Sequence, residues 1–243
     1  MRAAPRSKTL DVADLRSPGV EDEARRLRRF VRRLFLRGVP LAINGIAHRR
    51  FYVREAKLWE YASGLAPLAA AESGRMDVLE LGGAAGVPSA YLAARGERVR
   101  VLDLNPRLVA LGQATAERRG WDLDVRREDL TRGELPPGWG PFDAAVSFCV
   151  IEHMQPDAHR RALARMASAL RPGGKLAFTF EFGEEAPGEG ALRDAGQVEE
   201  LVAFLGLHWS GAPFQDSGQR FVLDRRHAGR RFTFGIVHLE KRG

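Results

Sequence analysis

The sequence predicts an α/β fold in which a doubly wound, mostly parallel sheet follows an N-terminal helical extension. From residue 76 onward, short apolar runs of strand length alternate with longer stretches whose apolar residues recur at helical spacing. A glycine-rich turn over 82–86 directly follows the first of these strands. Because such alternation returns the chain to a parallel neighbour through a helix, we expect a sheet covered by helices on both faces.

Two helices are predicted ahead of the alternation. Residues 1–20 contain two prolines and a glycine and are expected to form a loose leader. A helix is predicted over 21–37, and Gly38 followed by Pro40 ends it. The apolar stripe of this helix consists of Leu27, Phe30, Val31, Leu34 and Phe35. A second helical stretch is predicted over 52–71, with breaks possible at its glycine and proline.

The alternating part of the chain is predicted element by element. The strands are expected over 76–81, 98–104, 123–127, 142–148 and 175–180, and a final antiparallel strand over 231–240. The helices are expected over 88–94, 106–119, 156–170 and 194–205. We therefore predict a basic leader with an amphipathic helix over 1–50 and an α/β domain over 51–243.

Charge is concentrated near the start of the chain. The 243 residues carry a formal net charge of +7, with 38 basic and 31 acidic side chains. Residues 1–50 hold 13 of the basic and 5 of the acidic side chains, so the rest of the chain is nearly neutral. Three interpretations of the basic helix stay open: a lid that packs on the core, a surface that recognises an anionic acceptor, and a contact with a membrane surface.

Other classes of protein are disfavoured by composition. The single cysteine, Cys149, excludes an internal disulfide and a cysteine-rich zinc site, and the histidines are scattered, so no metal is expected. No apolar run is long enough to span a bilayer, and the first 18 residues lack the apolar centre of a signal peptide. A cytoplasmic protein is the expectation.

The glycine-rich turn and a later aspartate predict a nucleoside site. Gly82, Gly83 and Gly86 allow the backbone to approach a ligand closely, next to the N-terminus of the following helix. Asp103 ends the second strand, where a carboxylate can accept hydrogen bonds from both ribose hydroxyls. In a doubly wound sheet, ligands bind beyond the carboxyl ends of the strands, so these residues are expected to meet there.

The same turn resembles a known family motif. The segment Glu80-Leu81-Gly82-Gly83-Ala84-Ala85-Gly86 is similar to motif I of the class I S-adenosylmethionine-dependent methyltransferases, usually written E/D-x-G-x-G-x-G. Ala84 departs from the family's middle glycine. The resemblance implies a Rossmann-like, seven-stranded sheet and S-adenosylmethionine as co-substrate.

Further segments continue the resemblance in order over about residues 50–240. Asp129-Leu130 matches the pair that commonly lies against the adenine, Cys149 to Met154 resembles the strand-four motif, and Leu170 to Lys175 resembles the turn before strand five. By this resemblance the expected cofactor-binding residues are Glu80, Gly82, Gly83, Gly86, Asp103, Leu104, Asp129, Leu130, Cys149 and Arg54. Lys57 is an alternative to Arg54 as the cation for the methionine carboxylate.

The acceptor side is less specific. His153 follows strand four and is the leading general-base candidate, with Glu152 beside it, although both side chains could simply anchor the loop. Glu181 could bind a cationic acceptor or take a proton. The predicted function is methyl transfer to an oxygen, nitrogen or carbon of a small molecule or polar biosynthetic intermediate, and a small-molecule or anionic acceptor is the expected partner. An RNA or tRNA methyltransferase and a non-catalytic protein that binds an adenosyl ligand are the alternatives.

Overall fold

A large mixed sheet organises the part of the chain that the computed structural model describes, which is residues 4–43, 46–48, 53–68, 74–223 and 227–243. The strands are β1 (Arg6–Thr9), β2 (Leu41–Ile43), β3 (Ile46–His48), β4 (Asp77–Leu81), β5 (Arg98–Asp103), β6 (Leu123–Arg127), β7 (Phe142–Phe148), β8 (Leu170–Phe182), β9 (His208–Trp209), β10 (Ala212–Gln215) and β11 (Thr233–Glu240). The helices are α1 (Val20–Leu36), α2 (Glu55–Leu65), α3 (Val87–Ala94), α4 (Pro106–Arg119), α5 (Pro156–Ser168) and α6 (Ala195–Leu205).

The sheet confirms the predicted fold class but has more strands than expected. Its order is β10-β1-β11-β8-β7-β4-β5-β6, with β9 also paired to β11, which makes nine strands instead of seven. The block from β8 to β6 is parallel, and β11 is antiparallel to β8 as predicted. Six of the nine are the strands located in the sequence, and the other three are β1, which lies against β11, and the short β9 and β10.

The prediction of a loose leader over 1–20 is wrong for residues 6–16, which form a strand and a short 3-10 turn. β1 pairs antiparallel with β11, and the Leu10 N–H donates to the Phe234 carbonyl at 2.7 Å. A short 3-10 turn over Val12–Arg16 follows, and the Asp11 side chain caps it by accepting from the Ala13 N–H. β1 has four residues, all with polar side chains, so it carries no apolar pattern by which it could be found from sequence.

The N-terminal helix lies where the periodicity places it. Leu27, Val31 and Leu34 of α1 are buried, while Phe30 is half-buried and Phe35 is 40% exposed. The buried stripe packs mainly against α2 and also contacts α3. α1 is therefore attached to the α/β core through its apolar face.

The second helix is shorter than predicted. α2 ends at Leu65 and includes Gly64. A Cβ at position 64 would overlap the Phe148 ring. Gly64 thus permits a close approach of α2 to β7 and does not break the helix. Residues 52 and 69–71 of the predicted helix lie outside the described residues.

The direction of the chain reverses beside β4, and this positions the site. From β4 the chain adds β5 and β6 on one side and then crosses to β7 on the other side. Leu81 at the end of β4 is level with Leu102 on β5 and Ser147 on β7. The carboxyl ends of three strands therefore meet at a topological switch point, where open α/β sheets bind ligands.

No helix in the described part of the chain is long and apolar enough to cross a membrane.

Candidate functional site

The glycine-rich turn after β4 forms a backbone cradle at the switch point. The Gly82 N–H donates to the Leu102 carbonyl at 2.7 Å, which joins the turn to the end of β5. Gly82 has a φ of +75°, and a Cβ there would lie 2.5 Å from the Val150 side chain. Only glycine satisfies both constraints, because side chains rarely adopt this backbone conformation and the space is filled.

The other two predicted glycines are also close-approach positions. A Cβ at Gly83 would overlap the Glu80 carboxyl group, and one at Gly86 would lie 2.8 Å from the Gly83 carbonyl oxygen. The Ala84 side chain, which replaces the family's middle glycine, is buried at 2% exposure. Ala85 has a φ of +55°, a left-handed conformation that glycine adopts more easily. The turn is therefore tight although it contains two alanines.

Two carboxyl groups flank this cradle. Asp103 accepts from the Ala84 N–H at 3.2 Å and from the Asn105 N–H at 2.8 Å, so the turn and the end of β5 hold its orientation. Glu80 is buried, and one of its carboxyl oxygens has no hydrogen-bond partner among the described residues. Burial, with the charge of Asp103 as a second cause, raises the pKa of Glu80. A buried acid left unsatisfied in this way is suited to accept hydrogen bonds from a ligand.

The remaining predicted cofactor residues follow β5 and β6 or begin α2. Leu104, next to Asp103, is 55% exposed, which leaves an apolar side chain uncovered beside the cradle. Asp129 accepts from the Thr131 N–H and hydroxyl at 3.0 and 2.6 Å, and this local turn lowers its pKa. Leu130 is buried, and Arg54 is exposed at the N-terminus of α2.

A buried polar cluster adjoins the end of β7, and half of it was missed from the sequence. Glu60 on α2 accepts from the Lys57 ammonium at 3.1 Å, from the Cys149 thiol at 2.7 Å and from the Thr179 hydroxyl at 2.9 Å. Burial lowers the pKa of Lys57, but the surrounding acidic groups, Glu60 among them, outweigh it and leave the pKa raised. Lys57 is therefore a cation already paired with Glu60.

The Cys149 environment does not favour a nucleophile. Burial first, and then the neighbouring carboxyl groups of Glu152 and Glu60, raise the pKa of the Cys149 thiol. The residue has a φ of +52°, and its N–H donates to the Thr179 hydroxyl at 3.0 Å. The raised pKa favours the protonated thiol, which is a poor nucleophile. The contacts of Cys149 instead hold the backbone in a left-handed conformation where the chain leaves β7.

The predicted acid–base residues lie next to this polar cluster, shortly after Cys149 and at the end of β8. Glu152 is buried, one of its oxygens lacks a hydrogen-bond partner among the described residues, and burial raises its pKa to about 8. His153 is exposed. Glu181 at the end of β8 is half-buried and accepts from the Gly188 N–H at 3.1 Å, and its pKa is raised by burial. These groups lie where β7 and β8 end, beside the cradle.

The loop after β8 covers this acid–base region. The Gly190 N–H donates to the Glu152 carbonyl at 3.1 Å, and a Cβ at Gly188 would lie 2.8 Å from the Glu152 Cβ. Arg193 holds the loop together by donating to several of its carbonyls, that of Gly188 at 2.9 Å among them. This cover keeps Glu152 away from water, which is the cause of its raised pKa.

The N-terminal segment reaches the cradle through β2. The Ala42 N–H donates to the Ala85 carbonyl at 2.7 Å, and residue 42 bridges to Gly86 in parallel. The chain leaving α1 therefore contacts the glycine turn itself. Among the residues described, no group of three or more histidine, cysteine, aspartate or glutamate side chains could hold a metal ion.

Comparison with known proteins supports the resemblance found in the sequence. A family model described as "Methyltransferase domain" matches residues 78–174, which include β4, the glycine turn and the segment after β7. This match covers less than half of the chain, and it agrees with the resemblance to the class I S-adenosylmethionine-dependent methyltransferases. The match contains Glu80, Asp103 and Glu152, so the residues of the cradle and of the acid–base region lie inside the family's shared segment.

Three known proteins illustrate the likeness. A ubiquinone biosynthesis O-methyltransferase of Xanthomonas axonopodis is 36% identical over 103 residues, which cover 41% of this chain and 40% of that protein. A ribosomal RNA small subunit methyltransferase B of Thermus thermophilus is 33% identical over 147 residues, covering 54% of this chain and 35% of that protein. A structure of Haemonchus contortus phosphoethanolamine N-methyltransferase 2 with S-adenosyl-L-methionine superposes with a TM-score of 0.57 at 15% identity, covering 75% of this chain and 52% of that one.

The chain thus spans less than half the length of these curated relatives. The likeness to the solved structure, at its low identity, is a likeness of fold.

Proposed function

We propose that this protein transfers a methyl group from S-adenosylmethionine to a small-molecule acceptor. The observation that carries the proposal is the cradle itself. It combines three glycines that cannot bear a Cβ, Asp103 at the switch point, and a buried Glu80 with one oxygen that has no hydrogen-bond partner in the described part of the chain. The products are the methylated acceptor, S-adenosylhomocysteine and, for a hydroxyl acceptor, a proton.

The residues around the cradle fit an adenosyl co-substrate. Asp103 is held by two backbone N–H groups in a position to accept from ribose hydroxyls, and exposed Leu104 offers apolar cover for the adenine. Glu80 is suited to the methionine ammonium. Arg54 is exposed and has no ion pair among the described residues, so it is our candidate for the carboxylate, whereas Lys57 is already paired with Glu60. When bound, S-adenosylmethionine supplies a methyl group already activated on a sulfonium.

The acid–base groups suit an acceptor that must lose a proton. In our proposal the Glu152 carboxylate accepts the acceptor's proton, and exposed His153 passes it to water. A raised pKa supports this role because a stronger base drives proton transfer better. Glu181, close to both, is placed to bind a polar group of the acceptor.

Two considerations favour an oxygen on a small molecule. Most of the similar curated proteins carry the name ubiquinone biosynthesis O-methyltransferase. Outside the N-terminal fifth the chain is nearly neutral, while nucleic-acid substrates usually require a broad basic surface. The second candidate, methylation of RNA, is favoured by one relative named for ribosomal RNA.

The experiment is transfer of a radiolabelled methyl group to a panel of phenolic, amine and carbon acceptors and to total RNA. The proposal expects label in a small hydroxyl compound together with formation of S-adenosylhomocysteine. Label in RNA, with affinity falling steeply as salt increases, would replace it by the second candidate. Binding of the co-substrate without turnover on any acceptor would leave an adenosyl-binding protein.

Replacing Asp103 by asparagine tests the ribose contact. Because a hydrogen bond to a charged group contributes about 1.5–3 kcal/mol, we expect Asp103→Asn to weaken S-adenosylhomocysteine binding at least about tenfold. Calorimetric titration measures this. Asp124→Asn is the control, because it removes an equal charge from the neighbouring strand β6, away from the cradle, and should bind S-adenosylhomocysteine normally. If both variants bind with equal affinity, Asp103 does not contact the ribose.

A further inference from the structure

A cavity lined by arginine and aromatic side chains opens between the N-terminal helix and the α/β core. Its volume is about 660 Å³, which is within the range of sites for small organic ligands. α1 forms one wall, and Arg95 and Arg119, at the C-terminal ends of α3 and α4, lie on the other. Since α3 and α4 begin beside the cradle and run away from it, this cavity is separate from the proposed methyl-transfer site.

The charge in this cavity is largely uncompensated. Six arginines line it: Arg26, Arg29, Arg33, Arg37, Arg95 and Arg119. Buried Glu23 lies 3.3 Å from Arg26 and 3.6 Å from Arg95. Within the described ranges, no carboxylate lies within ion-pair distance of the other four. Their mutual repulsion is a cost that a bound anion would remove.

Helix-end electrostatics accounts for only part of this arrangement. Arg33 and Arg119 lie in the last turns of α1 and α4, and Arg37 caps α1, where cations are stabilised by the helix dipole. Arg29 lies about two turns before the end of α1, beyond the reach of that effect. The dipole also gives no reason for the three helices to direct these charges into one cavity.

Aromatic rings form the remaining wall. The Phe30 ring packs edge-on against Tyr91, with centroids 5.4 Å apart, and lies 6.5 Å from the Trp121 ring. Tyr91 is buried, but Phe30 and Trp121 are half-buried, so their rings remain partly open to the cavity. Planar bases stack on such surfaces, and arginine also recognises phosphate through its planar fork of donors.

We propose that this cavity is a nucleotide site, in which a base stacks on the aromatic wall and phosphate groups pair with Arg29 and Arg33. The same chemistry is presented by a free nucleoside polyphosphate and by one unit of a single-stranded RNA. The site is independent of the proposed methyl transfer.

The test compares two double variants of the full chain. Arg29→Gln/Arg33→Gln removes two charges that line the cavity, and Arg28→Gln/Arg32→Gln removes two exposed charges from the same helix at the same spacing outside it. The probes are adenosine triphosphate and a fluorescent single-stranded oligoribonucleotide, followed by calorimetry and fluorescence anisotropy. Thermal melts check that both variants fold.

We expect the cavity variant to bind its preferred probe at least about tenfold more weakly and to lose about two units of salt slope, while the control stays within about threefold of the wild type. Tighter binding of adenosine triphosphate than of the oligonucleotide assigns a free nucleotide, and the reverse order assigns RNA. Equal losses in both variants would overturn the proposal, as would the absence of binding at low salt.

Two further controls address other occupants and the adenosyl site. Inorganic triphosphate that binds as tightly as adenosine triphosphate would exclude a role for the aromatic wall, and binding only to phosphatidylglycerol vesicles would replace a nucleotide by a membrane surface; either result overturns the proposal. S-adenosylhomocysteine is kept saturating so that adenosine triphosphate does not enter the cradle. Failure of S-adenosylhomocysteine to bind would count against the proposed function alone, because the comparison of arginine variants does not involve the cradle.

Discussion

Gly83→Ala is expected to weaken S-adenosylhomocysteine binding by about a hundredfold. The added Cβ would overlap the Glu80 carboxyl group, so either the glycine turn or Glu80 must move from the ligand position. Forcing one extra carbon into a closely packed site costs about 1–3 kcal/mol, and here that cost falls on the groups that bind the ligand. Calorimetric titration of the folded variant measures the change.

Gly229→Ala is the matched control for this substitution. Gly229 is exposed, and a Cβ there would have no atom of the described residues within 4 Å, so we expect unchanged affinity and an unchanged melting temperature. If Gly83→Ala remains folded and binds as tightly as the wild type, the glycine turn does not form the ligand cradle.

Glu152→Gln is expected to lower kcat/KM by roughly a hundredfold above pH 8 and to remove its dependence on pH. Burial raises the pKa of Glu152 to about 8. Since the carboxylate is the basic form, kcat/KM of the wild type should rise as the pH increases toward 8 and level off above it. Glutamine has nearly the same shape but cannot accept the proton. Initial rates from pH 6 to 9.5 with a hydroxyl acceptor measure both effects.

Glu184→Gln is the control, because Glu184 is exposed on the loop that covers Glu152. It should keep both the rate and the pH profile. A wild-type profile in Glu152→Gln would exclude Glu152 as the base, and loss of the profile in His153→Gln would then assign that role to His153.

The parallel core of the fold could be predicted because its residues carry strong local signals. β6, β7 and α4 lie over 123–127, 142–148 and 106–119 as the sequence predicts. Continuous apolar runs are typical of strands buried on both faces, and Gly120 with a φ of +63° ends α4. The glycine turn and Asp103 could be recognised because each directly follows a strong strand signal and together they match the spacing of a known motif.

The edge of the sheet and half of the polar cluster could not be predicted in this way. β1 is four residues long and depends on pairing with β11, more than 220 positions away along the chain. Glu60 meets Cys149 only through the packing of α2 on the sheet, at a sequence separation of 89, and Thr179 meets it through the pairing of β8 with β7, at a separation of 30. The one local sign was the spacing of Lys57 and Glu60, which places both on one face of a helix.

The most direct test of the proposed function is calorimetric titration of the full chain with S-adenosylhomocysteine. We predict one site per chain with a dissociation constant between about 1 μM and 1 mM, as is typical of enzyme substrates, weakened in Gly83→Ala and Asp103→Asn and unchanged in Gly229→Ala. Absence of both binding heat and a thermal shift at millimolar ligand would contradict the assignment of the cradle as an adenosyl site.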